Sequence, residues 1–213
     1  MTRPLVFACL VWLPITTTLS ADEPKSLFNG KDLSGWIGAT NDYEVVDGAI
    51  QCKPGRGGNL FTKDEYANYV VRLEFKLPPG GNNGLAIRAE SPDKNPAYAG
   101  MELQVLDNTA EKYADLKDYQ YHGSIYELAP AKRGYLRPVG EWNYQEVTVD
   151  GDHIVVRLNG FEILNVDLAD VRRETRDGKP HSGAARTSGY FGFCGHHDPV
   201  AFRNVRIKTL PAE

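Results

Sequence analysis

Residues 102 to 107 read Glu-Leu-Gln-Val-Leu-Asp. Met101, Leu103 and Val105 share one parity, so a strand here turns an aliphatic face inward. Glu102 and Gln104 then present a carboxylate and an amide on the other face. Asp107 falls on the aliphatic parity. It would join Glu102 only if an extra, bulged residue reset the alternation. A carboxylate beside a histidine is an acid–base pair, because imidazole titrates near neutrality. His122, in "YQYHGSIY", and His196, in "FCGHHDPV", stand at expected strand–loop junctions and are the two candidates.

Those groups need a scaffold. "YVVRLEFKL" (69–77) and "LAIRAE" (85–90) alternate as cleanly as 101–106. If these strands are neighbours, Arg72 and Glu74, Arg88 and Glu90, and Glu102 and Gln104 form one polar sheet face, in rows about 4.8 Å apart. Solvated faces of antiparallel sheets have the same make-up, so the pattern alone does not require a site. The aromatic residues add to it. Of the 11 Tyr and 3 Trp, Tyr98, Tyr113, Tyr119, Tyr121, Tyr126, Tyr135 and Trp142 lie in expected loops. Rings that cover apolar C–H faces, beside carboxylates and amides that take hydroxyls, suit a carbohydrate.

The remaining chain is punctuated for β-structure. Asp47-Gly48 and Asn159-Gly160 are two-residue hairpin turns. Further strands are expected at 145–149, 153–158 and 161–166, in "GYFGFCG", and in "FRNVRIKTL". Helix is confined to a turn or two within 109–119, and 78–84 reads as a loop. Short strands at near-regular spacing predict an all-β sandwich or jelly roll. Two long connections, 107–123 and 168–189, interrupt the regularity, and connections of that length often carry function.

With 41% hydrophobic and 24% charged residues among 213, the chain can bury one sizeable core. A formal net charge of -4 and no basic block argue against a nucleic-acid partner. Residues 1–21 carry Arg3, an apolar run from Leu5 to Leu13, and small residues at the end. This is the pattern of a signal peptide, and the run is short of the roughly 20 residues that span a bilayer. The expectation is one domain over 22–213, exported to the periplasm or secreted, with no membrane attachment after cleavage. Cys52 and Cys194 lie in short apolar runs. Export permits a bridge between them, but buried free thiols fit the runs better.

Several stretches together resemble the 3-keto-disaccharide hydrolase domain family: "SLFNGKDLSGW", "VVDGAIQC", "NNGLAIR", "GMELQVLDN", "SIYELAPAKRGYLRPVGEWN", "VRLNGFEIL" and "HHDPVAFRNVRIKTL". They span nearly all of residues 26 to 210. The resemblance implies a concanavalin A-like jelly-roll sandwich of two antiparallel sheets and a role on carbohydrate. It departs from the family near its end, where Cys194 stands for the usual Gln and His197 for the usual Gly. Residues 102–107 also resemble the Glu-x-Asp-x-x-Glu strand of lectin-like glucanases, with Gln and Asp substituted.

Glutamine cannot ionise, and an ordinary retaining glycosidase needs two carboxyls about 5–5.5 Å apart. A 3-keto-glycoside needs less. Its ketone acidifies the C2 hydrogen, so one base, one proton donor and a group that steadies the enolate oxygen suffice. The expected acid–base residues are Glu102, Asp107 and His122, Glu102 first. Arg88 is expected at the enolate oxygen, and Gln104, Glu74, Tyr126 and His196 on the substrate. A divalent metal held by carboxylates and His196 is the alternative to Arg88. The competing functions are a retaining β-glucanase and a non-catalytic carbohydrate-binding module.

Overall fold

The structure is a computed structural model that describes residues 23–171, 174, 178 and 180–211. The expected signal peptide and part of the expected loop 168–189 lie outside them. The strands are β1 (Lys25–Ser26), β2 (Trp36–Gly38), β3 (Tyr43–Val46), β4 (Ala49–Cys52), β5 (Asn59–Tyr66), β6 (Tyr69–Lys76), β7 (Asn82–Ala89), β8 (Met101–Leu106), β9 (Trp142–Asp150), β10 (His153–Leu158), β11 (Phe161–Asp167), β12 (Gly189–Gly195) and β13 (Ala201–Thr209). One short helix, α1 (Pro96–Ala99), and four 3-10 turns complete the elements.

The strands form two antiparallel sheets. One runs β11-β10-β9-β6-β13-β4-β3, with β1 also on β13. The other runs β2-β5-β12-β7-β8. Their inner faces meet in one core, which includes Tyr69, Val71, Leu73 and Phe75 of β6 and Met101, Leu103 and Val105 of β8. Aromatic rings bridge the layers: Phe193 stacks on Phe202 at 3.9 Å between centroids and on Trp36 at 5.1 Å. This is the jelly-roll sandwich that the alternation implies. Both hairpin turns form as read, with positive φ at Asp47 and Gly48 and at Asn159 and Gly160, the geometry of a type I′ turn.

Two readings change. Asn82, Asn83 and Gly84 belong to β7 rather than to a loop, because Asn82 pairs with Leu106 and Gly84 with Gln104. β6 lies in the other sheet from β7 and β8, so Arg72 and Glu74 do not share a face with Glu102. The thiols are as expected: Cys52 and Cys194 are both buried and free. Cys52 lies in the main core, while Cys194 packs with Phe61, Ala86 and Ala89 in a separate small cluster.

Candidate functional site

The site is built on the face of β8 that turns away from the core. Glu102, Gln104 and Leu106 occupy it in register, paired with Ala86, Gly84 and Asn82 of β7. The next strand continues the rows with Gly192 beside Ala86 and Cys194 beside Gly84. Small residues next to Glu102 let its side chain lie along the sheet. A Cβ on Gly84 would stand 2.6 Å from Glu102 Cδ and Cγ, so the carboxylate position depends on a missing side chain.

β8 closes its sheet, yet its edge is not bare. Residues 123–126 run beside it: Gly123 N donates to Gln104 O, Gln104 N to Ser124 O, and Tyr126 N to Glu102 O. This pairing satisfies the edge and delivers Tyr126 to the rim of a cleft of about 260 Å³. Glu102, Gln104 and Leu106 form its floor with Asn82, while Tyr98, Tyr113, Tyr126 and Gln120 contribute to its walls. Tyr98 arrives on α1, where Asn95 caps the first turn by accepting from Ala97 N at 3.0 Å and Pro96 occupies the first helical position.

His196 enters from the end of β12. Its Nε2 lies 3.4 Å from Glu102 Oε1. Glu102 is buried while His196 is half exposed. The Glu102 carboxylate holds the His196 pKa above its ordinary value, against the opposing effect of burial. The next residue, His197, has φ 70, the left-handed region that favours glycine, at the position where the resemblance has Gly. His197 therefore holds a conformation that is costlier for it than for glycine.

Four of the expected site residues lie elsewhere. Asp107 follows a β8 that pairs with β7 without a register shift, so the bulge needed to swing it beside Glu102 is not there. Its carboxylate instead accepts from Gly80 N at 2.8 Å, Thr109 N at 2.9 Å and Thr109 Oγ1 at 2.6 Å. It is a loop anchor. His122 is buried against Phe75, ring centroids 5.0 Å apart. Its Nδ1 accepts from Leu106 N at 3.4 Å, which assigns the proton to Nε2, 3.0 Å from Gln145 Oε1. Burial pushes its pKa down to about 4, so it is a neutral core histidine at pH 7.

Arg88 sits at a bulge, where β12 counts two residues from Tyr190 to Gly192 against three on β7, with φ 51. The bulge turns the buried guanidinium into a nest of acceptors: Ala67 O, Arg186 O, Gly151 O and Asn68 Oδ1. None of these belongs to the cleft. Glu74 lies on the outer face of the other sheet, bound by Arg203 at 2.6 Å and by Asn204 at 2.7 Å. Glu102, Gln104, Tyr126 and His196 are thus brought together, and Asp107, His122, Arg88 and Glu74 are not.

Sequence reasoning missed Asn82, Asn95 and Gln120 in the cleft. Asn82 was hidden by the glycines around it. The Asn95-Pro96 pair is a helix-start signature that could have revealed α1. For a metal, the cleft offers Glu102 and His196; among the described residues no three His, Cys, Asp or Glu side chains converge.

A family model described as the 3-keto-alpha-glucoside-1,2-lyase-like domain matches residues 23–208. The chain belongs to this family. Membership makes it a glycoside-cleaving enzyme of the 3-keto-disaccharide hydrolase type. A 3-keto-disaccharide hydrolase of Bacteroides thetaiotaomicron is 30% identical, over 90% of this chain and 80% of its own length. A solved structure from Parabacteroides distasonis, provisionally assigned as a glycosyl hydrolase, superposes with a TM-score of 0.78 at 28% identity. It covers 89% of this chain and 100% of the other. The carbohydrate-binding module CBM66 of Bacillus subtilis shares the fold at a TM-score of 0.54 and 14% identity, covering 82% of this chain and 96% of the module.

Proposed function

We propose that this enzyme cleaves the glycosidic bond of 3-keto-glycosides by elimination followed by hydration, with Glu102 as base and His196 as its partner. The observation that carries this reading is the pairing of one buried carboxylate with one imidazole in a cleft otherwise lined by amides, tyrosines and aliphatic side chains. Displacement by a retaining glycosidase calls for two carboxyls about 5–5.5 Å apart. Here Asp107, the second carboxyl of the motif, is committed to Gly80 and Thr109.

The ketone at C3 acidifies the hydrogen on C2. Glu102 takes that proton, and the C–H electrons form the C2=C3 enolate. Collapse of the enolate re-forms the ketone, makes a C1=C2 double bond and expels the C1 oxygen substituent. The leaving oxygen takes a proton from His196, whose raised pKa favours the imidazolium. Water then adds across C1=C2, its oxygen to C1 and a proton to C2. The amides of Gln104, Asn82 and Gln120 provide N–H donors for the enolate oxygen and ring hydroxyls. Tyr98, Tyr113 and Tyr126 provide ring faces. The 1,2-lyase chemistry in the family's description supports the elimination step. The apolar run of residues 5–13 supports export to the periplasm or beyond it.

The test is turnover of a 3-keto-disaccharide against the same sugar unoxidised, with Glu102→Gln alongside. Cleavage of only the ketone, lost in the variant, is expected. Equal cleavage of both sugars points to a glucanase. Binding without product, retained in the variant, points to a carbohydrate-binding module.

A further inference from the structure

Tyr98 stands in the cleft wall on α1, a helix of four residues. A single turn this short does not hold itself together in water, so contacts from outside must fix the ring. Asn95 caps its start. Its other side is met by a segment far along the chain, the 3-10 turn Ser182–Ala185 and its two flanking residues. Ser182 Oγ donates to Tyr98 O at 2.8 Å. His181 is buried, its ring tilted toward that of Tyr98 with centroids 6.1 Å apart, and its Nδ1 accepts from Ala184 N at 3.2 Å. Gly183 passes so close to Gly100, the residue that ends α1, that a Cβ on it would overlap the Gly100 backbone.

The segment is held from behind by Arg88. Arg186 Nε donates to Arg88 O at 2.9 Å, and Arg88 Nη1 donates to Arg186 O at 3.1 Å. The same buried guanidinium binds Ala67 O at 3.2 Å and Gly151 O at 2.8 Å, in the β5–β6 and β9–β10 connections. A buried cation is costly unless its N–H groups are paired, and carbonyls from three separate segments converge on this one. Arg88 is thus a fixed point of the sandwich. The contacts run from it through Arg186 and the 3-10 turn to α1.

We propose that residues 181–186 are a strap that positions Tyr98 for the substrate, with Ser182 and Gly183 as positioning residues and Arg88 as their anchor. The proposal rests on the function proposed above, in which the cleft takes the sugar, and adds what holds one of its walls. An aromatic ring contributes to a sugar face only in close contact, and a gap of about 0.5–1 Å already forfeits roughly a quarter to a half of the contact energy. Glu102 and His196 stand on β8 and at the end of β12, and the strap makes none of the contacts that hold them there. Shifting the strap therefore weakens substrate binding and leaves the chemical step in place. Arg88 acts on the cleft at one remove, through the backbone it holds.

The experiment measures KM and kcat for a 3-keto-disaccharide in wild type, Gly183→Ala, Tyr98→Ala and the double variant. Gly183→Ala is expected to raise KM about fivefold or more, with kcat within about twofold, the loss of roughly one good contact. Tyr98→Ala is expected to raise KM by at least as much. Adding Gly183→Ala to Tyr98→Ala should then raise KM by less than about twofold, because the ring that the strap positions is gone. Two KM effects that multiply in the double variant overturn the proposal, as does an unchanged KM in either single variant. A fall in kcat as large as the rise in KM in Gly183→Ala also overturns it, since general loosening would do that. A wild type that does not turn over the 3-keto-disaccharide overturns the proposed function and this inference with it. Should Gly183→Ala fail to fold, Ser182→Ala and Ser182→Thr replace it. Loss of the hydroxyl is expected to raise KM about threefold, threonine to restore it, and Tyr98→Ala to abolish the difference. Equal KM in Ser182→Ala and wild type overturns the strap.

Discussion

The side chain of Glu102 lies over the bare backbone of Gly84, on the neighbouring strand. A Cβ there would meet Glu102 Cδ at 2.6 Å. Gly84→Ala must therefore push the carboxylate aside. The displaced atoms are the far end of a flexible side chain, so the backbone need not move, and alanine is the better strand residue by roughly 0.5–1 kcal/mol. The expected outcome is a kcat at least tenfold lower with a midpoint of urea unfolding at or above that of wild type. A variant that unfolds earlier but keeps kcat would show that Gly84 serves the sheet rather than the carboxylate.

His196 gives the reaction its basic limit. Its pKa is raised by Glu102, so the imidazolium persists to higher pH than in a free histidine, whose pKa is about 6.5. Activity that needs the imidazolium is present below the raised pKa and lost as pH rises through it. In Glu102→Gln the carboxylate is gone, and the residual activity is expected to lose its basic limb at lower pH. A pH profile of kcat/KM for both proteins measures this. A basic limb that moves upward in the variant contradicts the pairing.

His122 should matter to stability and little to catalysis. Its pKa falls to about 4 in the fold, against about 6.5 unfolded. The unfolded chain thus binds the extra proton first, and stability drops as pH falls from 6.5 toward 4, on the order of 3 kcal/mol in all. Urea unfolding at pH 7 and pH 4.5 is expected to show that loss in wild type and a smaller loss in His122→Gln. The variant should also be less stable at pH 7, by roughly 1–3 kcal/mol, because buried groups lose a partner. A variant as acid-sensitive as wild type would remove His122 from this role.

Asp107 separates a loop anchor from a catalytic carboxylate. Asp107→Asn keeps an acceptor for Thr109 but presents an amide to Gly80 N. A stability loss of about 1–2 kcal/mol is expected, from a hydrogen bond to a charged group, with kcat reduced far less than in Glu102→Gln. Equal losses of kcat in the two variants would restore Asp107 to the chemistry.

The sandwich was legible because its strands alternate strictly and its turns are Asp-Gly and Asn-Gly, which constrain φ. Glu102 and Gln104 were legible for the same reason, since parity alone places them outside the core. Arg88 was misread because a bulge, invisible in composition, resets parity at that residue. Asp107 was misread because a one-residue displacement at a strand end was supplied by analogy, while an Asx-type turn to Thr109 competes for the same carboxylate. His122 looked like a loop histidine because its neighbours are polar. Gln145 and Phe75, far away in sequence, supply the pocket that buries it. Strand β5, Asn59–Tyr66, carries weak alternation and was not recognised.

The central claim is that Glu102 removes the C2 proton of a 3-keto-glycoside. Cleavage of a 3-keto-disaccharide in D2O, stopped at low conversion, tests it most directly, with product incubated without enzyme and with Glu102→Gln as controls. Elimination and hydration predict deuterium at C2 of the released 3-keto sugar, well above both controls. Release of product with hydrogen retained at C2, at undiminished rate, would contradict the account.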